Sequence, residues 1–533
     1  MFAVWRQDAR QLQTPSIAWL PIGFLGLIEV QMLWLRTNVP ELEIITILYG
    51  VAMFLAINSG FWVARLGWCN PFMYWTAASL ILGGIFSVIV QIVQVFHLEA
   101  TAPWLFAQYT TKMARRVFGN MYQPNHLATY LSLATAGAFY LWYQRRLSGW
   151  CWLLLSVILN IGIVLTASRM PWLQLTLLTL AGIWMVVYLE RVEGNSMHHS
   201  LLRWWVPVAI LPLMVIVTEV IQWANVALQL QLEGSAFDRL QQAGQVSGRL
   251  NLWRYGWKIF QHHWLLGAGW VNYADAQFAL AGKLGPVEMA DNAHNVVFDV
   301  FAKGGVIGAI LVFLPLLLWV VRAVKRLKTS APTAFAFIIL GILFIHALLE
   351  YPQNYAFFLM PSMFLLGLTD TRALPWMKPL AVGFLNMLIF VAGIGFLVYL
   401  YRDYRRVEVA YCAGQIERYR RNPSYFFSPY GDYALAHALV LNRDALNAKL
   451  DAHRRAMSIG AGPSMIKRYT ILLALAGRDD DALQAVQRLK QYNIKRFERE
   501  YASLLFMCEE QGHALGGFVS KLIQTFGNVM DNR

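Results

Sequence analysis

Long apolar segments recur along the first 400 residues of this chain, and they constrain its fold more than any other feature. Most have about 17 to 25 mostly apolar residues, the length that an α-helix needs to cross the hydrocarbon core of a bilayer, and the short segment 354–369 is either a span or a re-entrant segment. Only 14% of the residues are charged, whereas soluble domains carry about 25%. The predicted spans are 16–35, 44–63, 72–96, 125–143, 149–166, 171–189, 205–224, 295–321, 332–350, 354–369 and 379–400. We therefore predict an all-α polytopic membrane protein with about eleven transmembrane helices.

Basic residues concentrate in alternate loops between the predicted spans. The loop cations on one side of the membrane are Arg6, Arg10, Arg65, Arg145, Arg146, Arg191, Arg203, Arg322, Lys325, Arg326, Lys328, Arg372 and Lys378. The opposite short loops are poorer in cations, with Lys112, Arg115 and Arg116 as the main exceptions. Because basic loops stay in the cytoplasm, we predict a cytoplasmic N-terminus, and an odd number of spans then places the C-terminus on the outer face. This distribution accounts for the formal net charge of +14 without a nucleic-acid partner.

Residues 401–533 differ abruptly from the segments before them, because they combine helical apolar spacing with frequent charges. Gly477 to Leu483 is typical of a helix end followed by a new helix. Two helix pairs of this kind suggest a short array similar to tetratricopeptide repeats. We predict a membrane domain at 1–400 with a large outer loop at 225–294, and a helical outer domain at 401–533. The net positive charge of the outer domain fits an acidic partner, an anionic membrane surface or a solvated exterior.

Polar side chains gather at the outer ends of several predicted spans. The stretch from Gln123 through Asn125 and His126 is typical of a helix start that holds polar groups at the interface. Arg169 follows Ser168 in a tight loop between two spans. An arginine near a bilayer is costly and usually pairs or holds an anion, and a snorkelling arginine is the alternative.

A second arginine lies in the large outer loop beside tryptophans. Arg249, Trp253 and Trp257 are four residues apart in turn, so a helix places them on one face. This arrangement fits a phosphate held by the guanidinium while the indoles cover lipid or sugar. The alternative is an amphipathic helix that lies on the bilayer surface.

The stretch from Asp291 to Asn295 places His294 at the start of a span. We expect Asp291 or Asn292 to cap the helix that His294 begins, so that the imidazole lies where helix N–H groups favour an anion. Histidine titrates near neutrality and serves as base, acid or phosphate donor. The alternative is a histidine of the capping region without chemistry.

Two further groups of polar residues follow. Asp299 and Lys303 are four residues apart and are predicted to pair, and Gly304 with Gly305 permits either a break or close packing in that span. At another outer span end stand His346, Glu350 and Tyr351. We expect the carboxylate of Glu350 to pair with a cation such as Arg169 or Arg249.

Together these segments resemble the O-antigen ligase superfamily, and most closely its PglL-type branch of bacterial protein O-oligosaccharyltransferases. The resemblance covers about residues 115 to 370. The residues that carry it are Gln123 to Ala128, Ser168, Arg169, Gly248, Arg249, Trp253, Leu266 to Trp270, Ala293 to Asn295, Gly304, Gly305 and Glu350 to Pro352. The following Gln353, Asn354 and Tyr355 depart from the branch pattern, because they are more polar.

The resemblance implies a GT-C-like glycosyltransferase of the bacterial inner membrane with its site and C-terminal domain in the periplasm. Its donor would be a glycan on undecaprenyl diphosphate, and its acceptor a Ser or Thr hydroxyl of an exported, pilin-like protein. Arg169 and Arg249 would hold the diphosphate, and His294 would be the catalytic histidine. The supporting residues would be Gln123, Asn125, His126, Asn295, Trp253, Glu350 and Tyr351. No cofactor is expected, and no carboxylate pair is placed to bind a metal.

Other functions remain open at this point. The nearest is an O-antigen ligase that acts on lipid A-core, followed by a polymerase of lipid-linked repeats. A transporter or flippase of lipid-linked glycan would also use intramembrane charges such as Asp299 and Lys303. Transporters are often built from internal repeats with paired broken helices, and we find no such repeat in this sequence.

Overall fold

The computed structural model describes residues 13–108, 116–189, 192, 203–234, 246–374, 379–412 and 414–528. Within these ranges the regular structure is helical, apart from one isolated bridge between Pro15 and Ala373. The described elements are helices, and eight of them are long and apolar enough to cross a membrane. The predicted class, an all-α polytopic membrane protein, is therefore confirmed. The predicted loop cations that lie outside the described residues are Arg6, Arg10, Lys112, Arg115, Arg191 and Lys378.

Most helices of the span-rich part begin and end within a few residues of the predicted positions. The helices of this part are α1 (Trp19–Trp34), α2 (Pro40–Arg65), α3 (Cys69–Val95), α4 (Pro124–Tyr143), α5 (Gly149–Leu165), α6 (Met170–Trp184), α7 (Trp205–Ala227), α8 (Val246–His262), α9 (Tyr273–Leu284), α10 (Val296–Leu327), α11 (Ala331–Leu349), α12 (Ala356–Thr369) and α13 (Pro379–Tyr411). Helix α10 continues to Leu327 and α13 to Tyr411, past the predicted ends at 321 and 400. Each of the eleven predicted spans coincides with one of these helices, and the other two, α8 and α9, lie in the segment 225–294 that is predicted to form an outer loop.

Eight of the described segments are long and apolar enough to cross a membrane. Among the other predicted spans, α5 and α12 are shorter apolar helices. Helix α4 is also not one of the eight. Nearly all its side chains from His126 to Tyr143 are buried. The count of eleven spans therefore stays a prediction.

The chain divides into two compact units. The first contains residues 1–18, 53–244 and 315–383. Its core surrounds α4, which packs against α3, α5, α6 and α11. Small residues allow the close approach of α3 and α4, since a Cβ on Gly137 would lie 3.0 Å from the carbonyl oxygen of Ala77.

The second unit contains residues 19–52, 245–314 and 384–533. Its C-terminal helices are α14 (Ile416–Arg421), α15 (Ser428–Ala438), α16 (Leu446–Ile459), α17 (Pro463–Leu475), α18 (Asp479–Tyr492), α19 (Phe497–Glu509) and α20 (Gly516–Phe526). Helices α15 to α18 each pack against the next, as stacked helical repeats do. The predicted helix end and restart near Gly477 is confirmed, because α18 begins at Asp479. The domain boundary at residue 400 and the tetratricopeptide likeness stay predictions.

The loop helix α9 shares a core with the C-terminal helices of the second unit. Phe278 on α9 is buried within the same hydrophobic cluster as Leu472 and Val486. At the polar edge of this contact Ser458 donates a 2.8 Å hydrogen bond to the carboxylate of Asp275. Burial raises the pKa of Asp275, and the hydrogen bond from Ser458 opposes that shift. Helix α9 is thus packed against the C-terminal helices.

Candidate active site

Asn125 connects three segments of the first unit at the start of α4. Its side-chain oxygen accepts hydrogen bonds from the Arg116 guanidinium at 2.8 Å and from the Ser168 hydroxyl at 2.9 Å. Its amide nitrogen donates to the Glu350 carboxylate at 3.0 Å. Glu350 and Ser168 are both buried. A single amide therefore satisfies a cation, a hydroxyl and a carboxylate that are far apart in sequence.

The neighbouring Gln123 and His126 have different roles. Gln123 is the N-cap of α4, and its side-chain oxygen accepts from the backbone N–H of His126 at 2.6 Å. Pro124 follows at the first helical position, where its missing N–H costs nothing. The predicted helix start is confirmed. The buried His126 ring packs edge-on against Tyr355 and Phe358, with centroids 4.4 Å and 5.6 Å away, so its ring belongs to an aromatic cluster.

Arg169 stands at the N-terminus of α6, directly after a tight turn. Ala167 in this turn has the left-handed φ of 48°, and the backbone N–H of Ser168 donates to the Thr166 hydroxyl at 3.2 Å. Arg116 donates a second hydrogen bond here, from Nε to the carbonyl oxygen of Thr166 at 3.0 Å. Arg116 therefore ties the turn that presents Arg169 to the start of α4.

Glu350 and Tyr351 lie just beyond the end of α11. The backbone N–H of Glu350 donates to the carbonyl oxygen of His346 at 2.8 Å, which closes the last turn of the helix. Its carboxylate reaches Arg116 through the shared amide of Asn125. Direct pairing of Glu350 with Arg169 or Arg249 stays a prediction. Tyr351 stacks on Tyr355 with ring centroids 5.9 Å apart.

The turn that carries His294 lies in the second unit. His294 has the left-handed φ of 51°, and its backbone N–H donates to the side-chain oxygen of Asn292 at 2.9 Å. Asn295 caps the helix, since its side-chain oxygen accepts from the backbone N–H of Val297 at 2.9 Å. The expectation that Asp291 or Asn292 caps a helix beginning at His294 is therefore wrong. The positive φ keeps His294 out of the helix, so the next asparagine takes the capping position.

Asp299 and Lys303 form the predicted ion pair, near the start of α10 and just after the turn that carries His294. Their charged atoms are 3.1 Å apart, and both side chains are buried. The other carboxylate oxygen of Asp299 accepts from the backbone N–H of Ala293 at 3.1 Å. The buried pair thus holds the residue next to His294.

Helix α8 brings Arg249 and Trp253 to the same part of the second unit. Trp253 stacks on Phe298 with ring centroids 5.6 Å apart. Three residues on, a Cβ at Gly256 would lie 3.0 Å from that of Ala293, so α8 packs directly on the histidine turn. Arg249 lies one helical turn before Trp253 on the face that carries this contact.

The predicted break in α10 is confirmed at Gly305, whose φ of 62° and ψ of −161° are not helical. The segment from Trp264 to Gly269 fills the break. It donates from the backbone N–H of Ala268 to the carbonyl oxygen of Ala302 at 2.9 Å. The carbonyl oxygen of Trp264 in this segment also accepts a 2.8 Å hydrogen bond from the backbone N–H of Val306. Backbone groups freed by the break are satisfied by this segment, as membrane depth requires.

The ten predicted site residues fall into two groups. The first unit contains Gln123, Asn125, His126, Arg169, Glu350 and Tyr351, and the second contains Arg249, Trp253, His294 and Asn295. A joint site of Arg169, Arg249 and His294 stays a prediction. The sequence reasoning missed Arg116, although its position among the few cations of the outer loops was a signal. In the described part of the chain no group of three His, Cys, Asp or Glu side chains is placed to hold a metal.

We expect Asn125→Ala to lower the thermal unfolding midpoint by several degrees. The change removes the hydrogen bonds that the Asn125 amide makes with Glu350 and Ser168, and a hydrogen bond contributes about 0.5–1.5 kcal/mol, or about 1.5–3 kcal/mol when one group is charged. Asn70→Ala is the matched control, because Asn70 is also the second residue of a helix but is exposed. Differential scanning fluorimetry of the detergent-purified protein makes the measurement. Equal midpoints for the two variants would show that the Asn125 contacts contribute no stability.

Three known families match parts of the chain. The family described as "O-Antigen ligase" matches residues 154–313, and the family described as "Protein glycosylation ligase" matches residues 117–142. The model described as "Virulence factor membrane-bound polymerase, C-terminal" matches 334–503. These ranges include all ten predicted site residues.

Two curated relatives come from Acinetobacter baylyi. A "General O-oligosaccharyltransferase" is 24% identical over 411 residues, which cover 75% of this chain and 69% of the relative. A "ComP-specific O-oligosaccharyltransferase" is 25% identical over 268 residues, which cover 50% of this chain and 46% of the relative. No solved structure matches. The resemblance noted in the sequence is thereby confirmed, since separate parts of the chain are similar to O-antigen ligases, to protein glycosylation ligases and to O-oligosaccharyltransferases, which are glycosyltransferases.

Proposed function

We propose that this protein transfers a preassembled glycan en bloc from undecaprenyl diphosphate to a Ser or Thr hydroxyl of an exported, pilin-like protein. Transfer takes place at the periplasmic face of the bacterial inner membrane. The observation that carries the proposal is the packing of α8, which bears Arg249 and Trp253, on the turn that bears His294. The names of the two relatives support protein rather than lipid as the acceptor.

The chemistry requires positive charge at the leaving group. The bond between the anomeric carbon and the diphosphate oxygen breaks, and undecaprenyl diphosphate leaves with the electron pair. A new bond forms between the anomeric carbon and the acceptor oxygen. Arg169 and Arg249 supply cations where the charge develops, and a guanidinium matches two phosphate oxygens at once. In this account a divalent metal is not needed.

His294 takes the proton of the acceptor hydroxyl. A hydroxyl is a weak nucleophile at neutral pH, so a positioned base contributes typically about 10²–10⁴-fold. The backbone N–H of Val297, in the first turn of α10, already donates to Asn295. That N–H group is therefore already satisfied, and in this proposal the imidazole of His294 is the group of the turn that acts on the acceptor. The left-handed backbone of His294 sets its side chain apart from the helix.

A transfer assay with purified protein tests the proposal. The detergent-solubilised chain, a lipid-diphosphate glycan and a pilin-like protein are incubated, and glycosylated protein is detected by mass spectrometry. We expect glycan on a Ser or Thr of the protein, with turnover unchanged by EDTA. Because detergent removes the second compartment, transfer under these conditions excludes a pure transporter or flippase. Turnover that is lost in EDTA and restored by Mg²⁺ would overturn the metal-independent account.

Ligation to a lipid acceptor is the second candidate, because the "O-Antigen ligase" model covers residues 154–313. The same assay with lipid A-core in place of protein distinguishes the two. Product on lipid A-core alone would replace the protein acceptor with the lipid. Extension of the lipid-linked glycan, with neither acceptor modified, would assign the chain as a polymerase.

The proposed orientation places the N-terminus in the cytoplasm and residues 401–533 in the periplasm. Two exposed native cysteines report on it, since Cys151 lies in the first turn of α5 and Cys412 follows α13. In single-cysteine variants, we expect a membrane-impermeant maleimide to label Cys412 in cells with a permeabilised outer membrane. Cys151 is expected to react only after lysis. The reverse pattern would invert the topology.

A further inference from the structure

A cavity lined by arginines lies where α13 leaves its apolar segment. Before residue 400 this helix exposes apolar side chains such as Leu388, Ile394 and Leu397, as a lipid-facing helix does. From Arg402 onward it carries cations. The cavity has a volume of about 1040 Å³. Its lining includes five arginines: Arg402, Arg405, Arg406, Arg418 and Arg421.

The cavity is built by a helix that folds back on α13. Helix α14 places the buried Tyr419 against Val407 and Ala410 of α13. The turn between the helices is closed by a 3.0 Å hydrogen bond from the backbone N–H of Gln415 to the carbonyl oxygen of Val409. The arginines of α14 and those of α13 therefore line one shared space.

Asp403 fixes a neighbouring turn at this site. Its side chain is fully buried and accepts from the Ser424 hydroxyl at 2.6 Å and from the backbone N–H of Phe426 at 2.9 Å. Arg406 pairs with Asp403 at 3.5 Å and donates to the carbonyl oxygen of Pro423 at 3.3 Å. The carboxylate of Asp403 is thus committed to this turn and to Arg406.

Glu417 is the carboxylate in this lining, and against five arginines it leaves the cavity with a net positive charge. Glu408 pairs with Arg405, and Glu417 pairs with Arg420, which is not part of the lining. For Arg402, Arg418 and Arg421, the structure shows no carboxylate partner among the described residues. Several guanidinium groups around one space repel each other, and an anion between them removes that repulsion.

The ligand that fits is a phosphate at the level of lipid headgroups. Guanidinium groups bind phosphate through two parallel hydrogen bonds. The helix end beside the cavity exposes Tyr399, Tyr401 and Tyr404, and tyrosines of this kind mark the membrane–water interface. We propose that this cavity binds the phosphate of an anionic phospholipid headgroup. The site is separate from the proposed transfer chemistry and does not depend on it.

Lipid retention tests the proposal on the full-length protein. The delipidated protein is incubated in mixed micelles of equal phosphatidylglycerol and phosphatidylcholine, and retained lipid is counted by native mass spectrometry. We expect wild type to retain phosphatidylglycerol preferentially. The variant R402Q/R418Q/R421Q should lose this preference by about fivefold or more, and R402K/R418K/R421K should keep part of it. The matched control R443Q/R496Q/R499Q removes three exposed arginines elsewhere and should behave as wild type.

Two outcomes would overturn the lipid site. One is an equal preference for phosphatidylglycerol in wild type and R402Q/R418Q/R421Q. The other is a thermal stabilisation by inorganic phosphate that this variant loses while its lipid retention is unchanged, which would assign the cavity to free phosphate. Gel filtration verifies folding. If the triple variant is not monodisperse, the single variants R402Q and R421Q are compared, with the same expected direction and the same contradicting result.

Discussion

His294→Ala is expected to reduce turnover of bound donor by about 10²–10⁴-fold, because it removes the proposed base from the acceptor hydroxyl. Donor affinity should change little. The measurement separates kcat from the affinity for the lipid-diphosphate donor. His262→Ala is the control, since His262 is an exposed histidine at the end of α8 in the same unit.

The contrary result would be equally informative about the turn. Weaker donor binding with intact turnover of bound donor would make His294 a phosphate ligand, and the base would lie elsewhere. Near-normal values of both parameters would remove His294 from the site. Asn295→Ala provides a structural comparison, because it disturbs the cap of α10 and leaves the imidazole in place.

Arg169→Lys and Arg249→Lys are each expected to weaken donor use by at least about tenfold. A hydrogen bond to a charged group contributes about 1.5–3 kcal/mol, and lysine keeps the charge but loses the planar two-pronged geometry. Donor affinity and kcat/KM for the lipid-diphosphate glycan make the measurement. Arg254→Lys is the control for Arg249, because Arg254 is exposed on the same helix.

The two arginines also test whether the groups of the two units act together. If both hold one diphosphate, the double variant should lose less than the product of the two single effects, since each single change already disrupts the shared contact. Strictly multiplicative effects would indicate independent sites. Full activity of Arg169→Lys would mean that Arg169 does not hold the diphosphate and that Arg249 of the second unit does.

Most of the helical architecture was predictable because length and hydropathy limit what a membrane segment becomes. The pair of Asp299 and Lys303 and the break at Gly305 followed from spacing and from glycine. The cap of α10 did not. Asn292 and Asn295 are both good caps, and only the backbone angle of His294 decides between them.

Arg116 shows a second limit of the sequence. Its hydrogen-bond partners Thr166 and Asn125 are brought near it by folding, and no local sequence pattern predicts these contacts. The burial of α4 has the same origin. A run of apolar residues predicts a helix in the membrane, but which helix is surrounded by others depends on packing between distant segments.

The filled break in α10 limits how this enzyme can be recombined with its relatives. A Cβ at Gly267 would lie 2.2 Å from the carbonyl carbon of Lys303, and one at Gly305 would lie 2.3 Å from the carbonyl oxygen of Leu265. Each segment is thus shaped to the backbone of the other. A chimera with a crossover between residues 270 and 300 would join one parent's loop to another parent's break, so residues 262–307 form a single block for exchange.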